Sequence, residues 1–104
     1  MYRVEHYCTP GGADVFGDWL DRLRDLQTQA RIAARIDRLA VGLAGDTKAL
    51  RDGVNELRID LGPGYRVYFA RSGRAVVLLL CAGAKRTQAR DIARAVDYWR
   101  DYQG

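Results

Sequence analysis

The chain is poor in the residues that build metal sites and covalent cross-links. Its 104 residues include only two cysteines and one histidine. Cys8 and Cys81 form no Cys-x-x-Cys motif, and His6 has no second histidine with which to share an ion, so the common zinc sites are excluded. We therefore expect no metal and no cofactor. The two cysteines are predicted to be reduced, buried thiols rather than a disulfide.

Long hydrophobic runs are also absent. No apolar segment approaches the roughly 18 residues that a membrane span needs, and the first residues resemble neither part of a secretory leader. The composition, 48% hydrophobic and 29% charged, is that of a folded protein. A chain of this length buries one core but not two. The sequence thus predicts a single domain over residues 1–104, located in the cytoplasm and without membrane contact.

Positive charge is concentrated in one part of the chain. The formal net charge is +4, with 17 Lys and Arg against 13 Asp and Glu. Residues 48–90 contain nine of the basic side chains and three of the acidic ones, so the whole excess lies there. Such a distribution hints at a polyanionic partner for this segment.

Apolar periodicity predicts three helices. Two successive patterns have as their apolar positions Val15, Phe16, Trp19, Leu20, Leu23 and Leu26, and then Ile32, Ile36, Leu39 and Leu43. We expect an antiparallel helical hairpin that ends near Gly42 and Gly45. A closing helix follows Thr87, a suitable N-cap, and its inner face is formed by Ile92, Val96 and Trp99.

Strands precede and separate these helices. Alternation predicts a first strand at 2–7 and a meander of three strands at about 54–61, 65–71 and 75–84, with a polar loop at 46–53 before it. The last of the three is apolar without alternation, which indicates a central strand covered on both faces. The element order is therefore β-α-α-β-β-β-α, which predicts an α+β fold.

The first two strands of the meander display charged side chains on one face. Alternation assigns Arg58, Arg66 and Tyr68 to the face opposite the aliphatic residues. With the turn centred on Pro63, Arg66 pairs with Asp60 and Tyr68 with Arg58. One interpretation is an exposed Arg66–Asp60 ion pair, worth less than about 1 kcal/mol. The other is that the arginines bind a ligand.

A second pair of cations is expected beside this hairpin. The third strand returns antiparallel to the second, which brings Lys85 and Arg86 back to the turn and to Arg66. Both residues also precede the last helix, whose N-terminal N–H groups and dipole favour anions. Cations that converge there suit a phosphate group, because like charges repel when the site is empty. Solvated loop charges are the alternative.

Several segments taken together resemble one family of bacterial proteins. They are "ELRIDLGPGYRVYF", "LLLCAGAKRTQARDIARA", "FGDWLDRLRD", "RIAARIDRLAVGLAGD" and a Tyr-Trp near the C-terminus. Over essentially its whole length the chain resembles the phage-derived addiction-module killer proteins, a RelE/HigB-like branch of the type II toxins. The resemblance implies a small RelE-like fold, in which a helical hairpin and a C-terminal helix pack on a mostly antiparallel sheet.

The same resemblance implies an activity and partners. Such toxins are mRNA interferases, ribosome-dependent endoribonucleases in which a 2′-hydroxyl attacks the adjacent phosphate without a metal or cofactor. A cognate antitoxin, in this branch a helix-turn-helix protein encoded next door, neutralises the toxin. Contact with operator DNA is expected only through that antitoxin.

The resemblance also assigns residues to the phosphate. Arg66, in Tyr-Arg-Val, matches the arginine that binds the scissile phosphate in RelE-type toxins, Arg58 matches a basic residue on the preceding strand, and Lys85 and Arg86 match a basic pair after the last strand. These cations would stabilise charge on the phosphorane oxygens. The remaining candidates for RNA contacts in this segment are Arg71, Arg90 and Lys48.

The proton-transfer groups match less well. The catalytic tyrosine of some relatives falls at Ile92, the C-terminal histidine of others is absent, and His6 is expected to be structural. Proton transfer would then fall to one of four side chains or to the ribosome and the substrate geometry. The four candidates are Glu56, Asp60, Tyr68 and Lys85. Tyr68 has two further interpretations, stacking on a base or covering the sheet.

Two other functions fit the same expected fold. A ParE-like toxin would bind and poison DNA gyrase without nuclease chemistry, and the incomplete acid–base set favours it. A degenerate family member would survive only as a partner in operon autoregulation. The converging cations favour the mRNA interferase.

Overall fold

A computed structural model describes residues 1–104 and contains five strands and three α-helices. The elements, in chain order, are β1 (Arg3–His6), α1 (Val15–Arg22), α2 (Leu26–Ala40), β2 (Thr47–Ala49), β3 (Asn55–Ile59), β4 (Tyr65–Ser72), β5 (Val76–Ala84), a short 3₁₀ turn (Lys85–Thr87) and α3 (Gln88–Gln103). The predicted α+β class is confirmed, with the helical pair, the meander and the C-terminal helix in the expected order.

All five strands form one mixed sheet in the order β1-β5-β4-β3-β2. β1 runs parallel to β5, and every other pair is antiparallel. β5 is an interior strand, between β1 and β4, and all but its last residue are buried, as its lack of alternation predicted. The edge strand β2 was missed, and the prediction of a loop at 46–53 was wrong there. β2 has only three residues, two of them polar, so it shows no apolar period.

The helical pair packs on one face of the sheet. Its buried side chains are Phe16 from α1 and Ile32, Ile36 and Leu39 from α2, and they meet Leu57, Ile59, Val67 and Phe69 of the sheet. Each helix has an aspartate N-cap whose side chain accepts from a backbone N–H of the first turn, Asp14 from Gly17 and Asp25 from Gln27. Two expected core positions were wrong, because Leu26 and Leu43 lie at or beyond the ends of α2 and are exposed.

α3 packs on the opposite face. Val96 and Trp99 are buried there as predicted, against Tyr68 and Leu80 of the sheet. The face that holds Arg58, Arg66 and Tyr68 is therefore only partly open, since α3 covers its middle. Thr87 occupies the N-cap position of α3, but its hydroxyl bonds to the side chain of Asp91 and caps no backbone N–H.

The register of the β3–β4 hairpin differs from the prediction by two residues. Arg58 lies opposite Arg66, and Glu56 lies opposite Tyr68. The predicted Arg66–Asp60 and Tyr68–Arg58 pairs were wrong because the turn is centred on Gly62 rather than Pro63. Asp60 is consequently exposed in the turn and forms no ion pair with Arg66.

The remaining expectations concern the cysteines and the membrane. Cys8 and Cys81 are both free, as expected, but only Cys81 is buried. Desolvation raises the pKa of the Cys81 thiol to about 12. None of the helices is long and apolar enough to cross a membrane.

Candidate functional site

Two arginines face each other across the β3–β4 hairpin. Arg58 and Arg66 are register partners on antiparallel strands, so their Cα atoms lie about 5 Å apart. Like charges placed directly opposite destabilise a sheet. Arg58, Arg66 and Lys85 are called the cationic site. The interactions of each arginine determine whether it can bind a ligand.

Arg58 is held by carboxylates. Its Nε donates to Glu56 Oε1 at 3.0 Å, and its Nη1 lies 4.0 Å from Asp46 Oδ1. The hydrogen bond that Arg58 donates to Glu56 is the main cause of a raised pKa for Arg58. Two acidic neighbours therefore neutralise Arg58 and fix its direction on the sheet.

Glu56 is the buried anchor of the site. Its side chain is fully buried, and its other oxygen, Oε2, accepts a hydrogen bond of 2.7 Å from Gln88 in the first turn of α3. Burial alone would raise the pKa of Glu56, but the hydrogen bonds from Arg58 and Gln88 and the positive charge of Arg66 outweigh it and lower the pKa. Glu56 is thus an ionised residue that ties β3 to α3.

Arg66 has no carboxylate or hydrogen-bond partner. It is half-buried, and its Nε is buried without any acceptor. The nearest available negative charge, that of Glu56, already bonds to Arg58 and Gln88. An arginine that is partly desolvated, opposed by a second arginine and left without an anion has unused capacity for a bidentate oxyanion.

Lys85 joins the site through the end of β5. Gly83 is the register partner of Arg66, and the backbone N–H of Lys85 donates to the Gly64 carbonyl at 2.8 Å. The prediction that Lys85 and Arg86 return to the glycine turn is therefore confirmed. Lys85 is exposed and stands immediately before α3, whose first N–H groups no side chain caps. Arg86 follows it in the same turn and lines a cleft between α1 and α3.

Two of the proposed proton-transfer residues lie outside this arrangement. Asp60 borders a separate groove beside α2, together with Arg31, Arg35 and Arg38. Tyr68 is fully buried beneath α3, so base stacking is excluded in this conformation and its ring covers the sheet. Desolvation and the negative charge of Glu56 raise the pKa of Tyr68, which keeps the phenol neutral.

The three candidate RNA contacts are dispersed. Lys48 is exposed on β2 and opposite Glu56, which places it beside the cationic site. Arg90 is exposed in the first turn of α3, 3.6 Å from Asp91. Arg71 lies at the other end of β4, five residues or about 16 Å from Arg66. Its guanidinium sits over the rings of Tyr2 and Phe69, at 5.8 and 5.5 Å from their centroids.

Comparison with known proteins assigns the family. Residues 18–97 match the family model described as "Phage derived protein Gp49-like (DUF891)". An uncharacterized protein of Haemophilus influenzae is 50% identical over 81 residues, which cover 78% of this chain and 82% of that protein. The chain belongs to the Gp49-like phage-derived protein family. This family is associated with toxin–antitoxin modules. The matched segment of the Gp49-like chain includes every residue of the cationic site and excludes His6.

His6 has a local role in this Gp49-like fold. Its Nδ1 lies 2.9 Å from Asp14 Oδ2, and its ring packs edge-on against Phe16. The pKa of Asp14 is lowered, because the hydrogen bonds from His6 and from the Gly17 N–H outweigh desolvation. These contacts tie β1 to the start of α1. Ile92 of α3, the position that aligns with the catalytic tyrosine of some relatives, is half-buried and packs against the core between α3 and the sheet.

A buried carboxylate was missed by the sequence analysis. Asp91 is fully buried in α3, accepts hydrogen bonds from Thr87 at 2.6 Å and from Arg94 at 2.9 Å, and packs directly on Gly83. It joins the first turn of α3 to the end of β5, next to Arg66. Gln88, which bonds to Glu56, was missed as well. The only sequence signal was an aspartate in the first turn of a helix, which is also common at exposed positions.

Proposed function

We propose that this Gp49-like protein is the toxin of a type II toxin–antitoxin module and acts as an mRNA interferase. The family's association with such modules supports the first part. The second part rests on one observation, the Arg66 guanidinium that lies opposite Arg58 and bonds to no carboxylate, near the turn to which Lys85 returns. A metal-free ribonuclease needs such a group, since the reaction builds negative charge on the phosphate oxygens.

The reaction is an in-line displacement at phosphorus. The ribose 2′-oxygen forms a bond to the adjacent phosphorus, the bond from phosphorus to the 5′-oxygen breaks, and the products are a 2′,3′-cyclic phosphate and a 5′-hydroxyl. One proton leaves the 2′-hydroxyl, and one reaches the departing 5′-oxygen. Arg66 binds the non-bridging oxygens in a bidentate manner, while Lys85 and the N-terminus of α3 add positive charge to the same region. Arg58 and Arg86 contribute to the local potential.

Proton transfer in this proposal does not use the three acidic or phenolic candidates. Glu56 is buried and bonded to two donors, Tyr68 is buried and neutral, and Asp60 lies in another groove. Lys85 is the exposed side chain left beside Arg66, so it or groups of the ribosome would move the protons. The proposed partners are accordingly mRNA on the ribosome and a helix-turn-helix antitoxin, through which alone the protein would meet operator DNA.

The same observation favours a second candidate. A site with phosphate-binding cations and no available acid–base pair is what a binding toxin would have, including a ParE-like poison of DNA gyrase. In that case Arg66 would contact an anionic group of the gyrase complex and no RNA would be cut. The two candidates differ in their products.

Induction of the protein alone in a bacterial host separates them. Wild type is compared with Arg66→Ala and with Arg74→Ala, an exposed arginine in the β4–β5 turn at the other end of the strand. The proposal predicts growth arrest and new transcript 5′ ends within translated regions, both lost in Arg66→Ala and retained in Arg74→Ala. Arrest with intact transcripts and a DNA-damage response would identify gyrase as the target. The absence of arrest would contradict both toxins and support the degenerate member.

A further inference from the structure

The interior strand β5 has no strand partner on its β1 side along its last residues. β1 ends at His6, opposite Leu79, and the Tyr7 N–H to Leu79 carbonyl bond of 2.9 Å is the last one between the two segments. The chain then turns away, and Cys8 pairs with Asp14 instead. From Cys81 to Ala84, β5 is paired with β4 on one side and with no strand on the other. Along this edge Cys81, Ala82 and Gly83 are buried and Ala84 is half-buried, so the unpaired backbone donors and acceptors are reached only through the cleft that residues 82–84 line.

This open edge forms the floor of a cleft. The cleft has a volume of about 790 Å³ and lies between α1 and α3, with Ala82, Gly83 and Ala84 on its floor. These three residues have small or no side chains, so a second backbone can approach the edge. The walls carry Trp19 and Tyr98. Apolar surface next to a free strand edge is the environment that an added strand occupies in β-augmentation.

The cleft is strongly basic. Four arginines, Arg22, Arg86, Arg90 and Arg94, line it against one carboxylate, that of Asp18. Arg94 and Arg90 share the buried Asp91, at 2.9 and 3.6 Å. Arg22 and Arg86 have no carboxylate within ion-pair distance. An occupant of the cleft must therefore bring negative charge to be complementary.

We propose that this cleft binds an extended acidic segment of a partner protein, which adds a strand to the open edge of β5 at 82–84. Main-chain hydrogen bonds to the edge would supply the pairing. Side chains on one face of the added strand would meet the α1 wall, with Trp19 and Arg22, and those on the other face would meet Tyr98 and Arg86, so that each side offers one aromatic ring and one arginine. Under the proposed function the partner is the antitoxin. The docking itself does not require that the protein be toxic.

A peptide fits the cleft better than RNA does. A strand edge presents N–H and C=O groups in alternation, and another peptide backbone satisfies both kinds of group. The RNA backbone offers phosphate acceptors and 2′-hydroxyls but no regular alternation of donors and acceptors at the spacing of a strand, so it would match the edge less completely. The cleft adjoins the cationic site at Arg86, but Arg66 and Lys85 do not line it.

The test is a titration of the isotope-labelled protein, followed through its backbone amide resonances. The probe is a ten-residue peptide in which glutamate alternates with valine. Two matched peptides serve as controls, one with lysine for glutamate and one with its central six amides N-methylated. We expect shifts at Ala82, Gly83 and Ala84 with the acidic peptide, and none with either control.

A pair of charge reversals locates the binding. Arg22→Glu is expected to lower the affinity for the acidic peptide on the order of tenfold. Arg24 is an exposed neighbour that does not line the cleft, so Arg24→Glu should leave the affinity unchanged. The amide spectrum also shows whether each variant is folded.

Four results would overturn the proposal. The first is equal binding of the N-methylated peptide, which would mean attraction by charge alone, and the second is a set of shifts that Arg22→Glu leaves unchanged. The third is the absence of shifts at millimolar peptide. The fourth is that an RNA oligomer of equal charge shifts the same amides and the peptide does not. None of them depends on toxicity. A failed docking therefore remains distinguishable from a failed toxin, which the Arg66→Ala induction tests.

Discussion

Arg58 and Arg66 face each other across two antiparallel strands, yet carboxylates hold only Arg58. Arg58 therefore stabilises the fold through its bonded carboxylate, whereas Arg66 has no bonded partner through which to do so. The difference follows from the placement of Glu56. Its carboxylate points to Arg58 and Gln88 and leaves none of its oxygens for Arg66.

The two arginines should therefore respond differently to neutralisation. Arg66→Gln removes the repulsion from Arg58 and the attraction to Glu56, which oppose each other, and no hydrogen bond, so we expect the free energy of unfolding to stay within about 0.5 kcal/mol of wild type. Arg58→Gln deprives the buried Glu56 carboxylate of a charged donor, and under-satisfying a buried acceptor costs about 1–3 kcal/mol. Urea denaturation measures both. A larger loss for Arg66→Gln than for Arg58→Gln would mean that Arg66 has a structural partner.

Glu56 should make stability depend on pH in the acid range. Its pKa in the folded protein is below the ordinary value of 4.5, so the unfolded chain binds the proton more readily. The stability from Glu56 is then complete above about pH 4.5 and is lost as the pH falls through the folded-state pKa. Denaturation midpoints of wild type and Glu56→Gln between neutral pH and pH 3 test this.

We expect the difference between these two proteins to shrink on acidification. Asp25→Asn is a useful comparison, because the pKa of Asp25 is also lowered but by the N-terminal bonds of α2, far from the cationic site. If Glu56→Gln kept a constant difference from wild type over the whole range, Glu56 would not be the titrating group.

The parts of the fold that could be predicted are those that local sequence decides. The uninterrupted apolar run of β5 requires cover on both faces, and the periods of Ile32, Ile36 and Leu39 fix the buried side of α2. The hairpin register depends instead on how many residues the turn takes. The turn extends from Asp60 to Gly64, with Gly62 and Gly64 at φ of 54° and 79°. A centre at Pro63 and one at Gly62 both keep every side chain on its face, so alternation could not distinguish them.

The sequence could predict which charged residues lie at the candidate site. It could not predict the burial of Tyr68 or the buried carboxylate of Asp91. Lys85 returns to Gly64, two residues from Arg66, because β5 runs antiparallel to β4, and that return can be predicted from the strand lengths. The burial of Tyr68 depends on which face of the sheet α3 covers, which is a tertiary choice. Asp91 is hidden for a related reason, since its position depends on the close approach of α3 to Gly83.

That approach gives a prediction of its own. A Cβ on Gly83 would lie 2.9 Å from Asp91 Cγ and 3.0 Å from Thr87 Oγ1, and these two side chains are held in place by their mutual hydrogen bond. We expect Gly83→Ala to lower the free energy of unfolding by about 1–3 kcal/mol through overpacking. Gly11→Ala, whose Cβ would meet nothing closer than 3.9 Å, should have an effect within about 0.5 kcal/mol.

The double variant Gly83→Ala/Asp91→Ala isolates the contact. Removing the Asp91 carboxylate makes room for the new methyl group, so the two changes together should cost less than the sum of the single costs. Additive costs would show that Gly83→Ala acts elsewhere, for example by changing the pairing of β5 with β4.

Tyr68 provides the sharpest test of the proton-transfer assignment. Its hydroxyl is fully buried near the Glu56 carboxylate and makes no hydrogen bond of good geometry, so Tyr68→Phe removes a poorly satisfied polar group. We expect the free energy of unfolding to be unchanged or to rise by about 1 kcal/mol, with growth arrest retained on induction. Tyr7→Phe is the matched control: the Tyr7 hydroxyl donates to Asp101 at 2.6 Å, and its loss should cost about 1 kcal/mol. A Tyr68→Phe protein of full stability that no longer arrests growth would contradict the assignment, because the phenol would then be needed for the chemistry despite its burial.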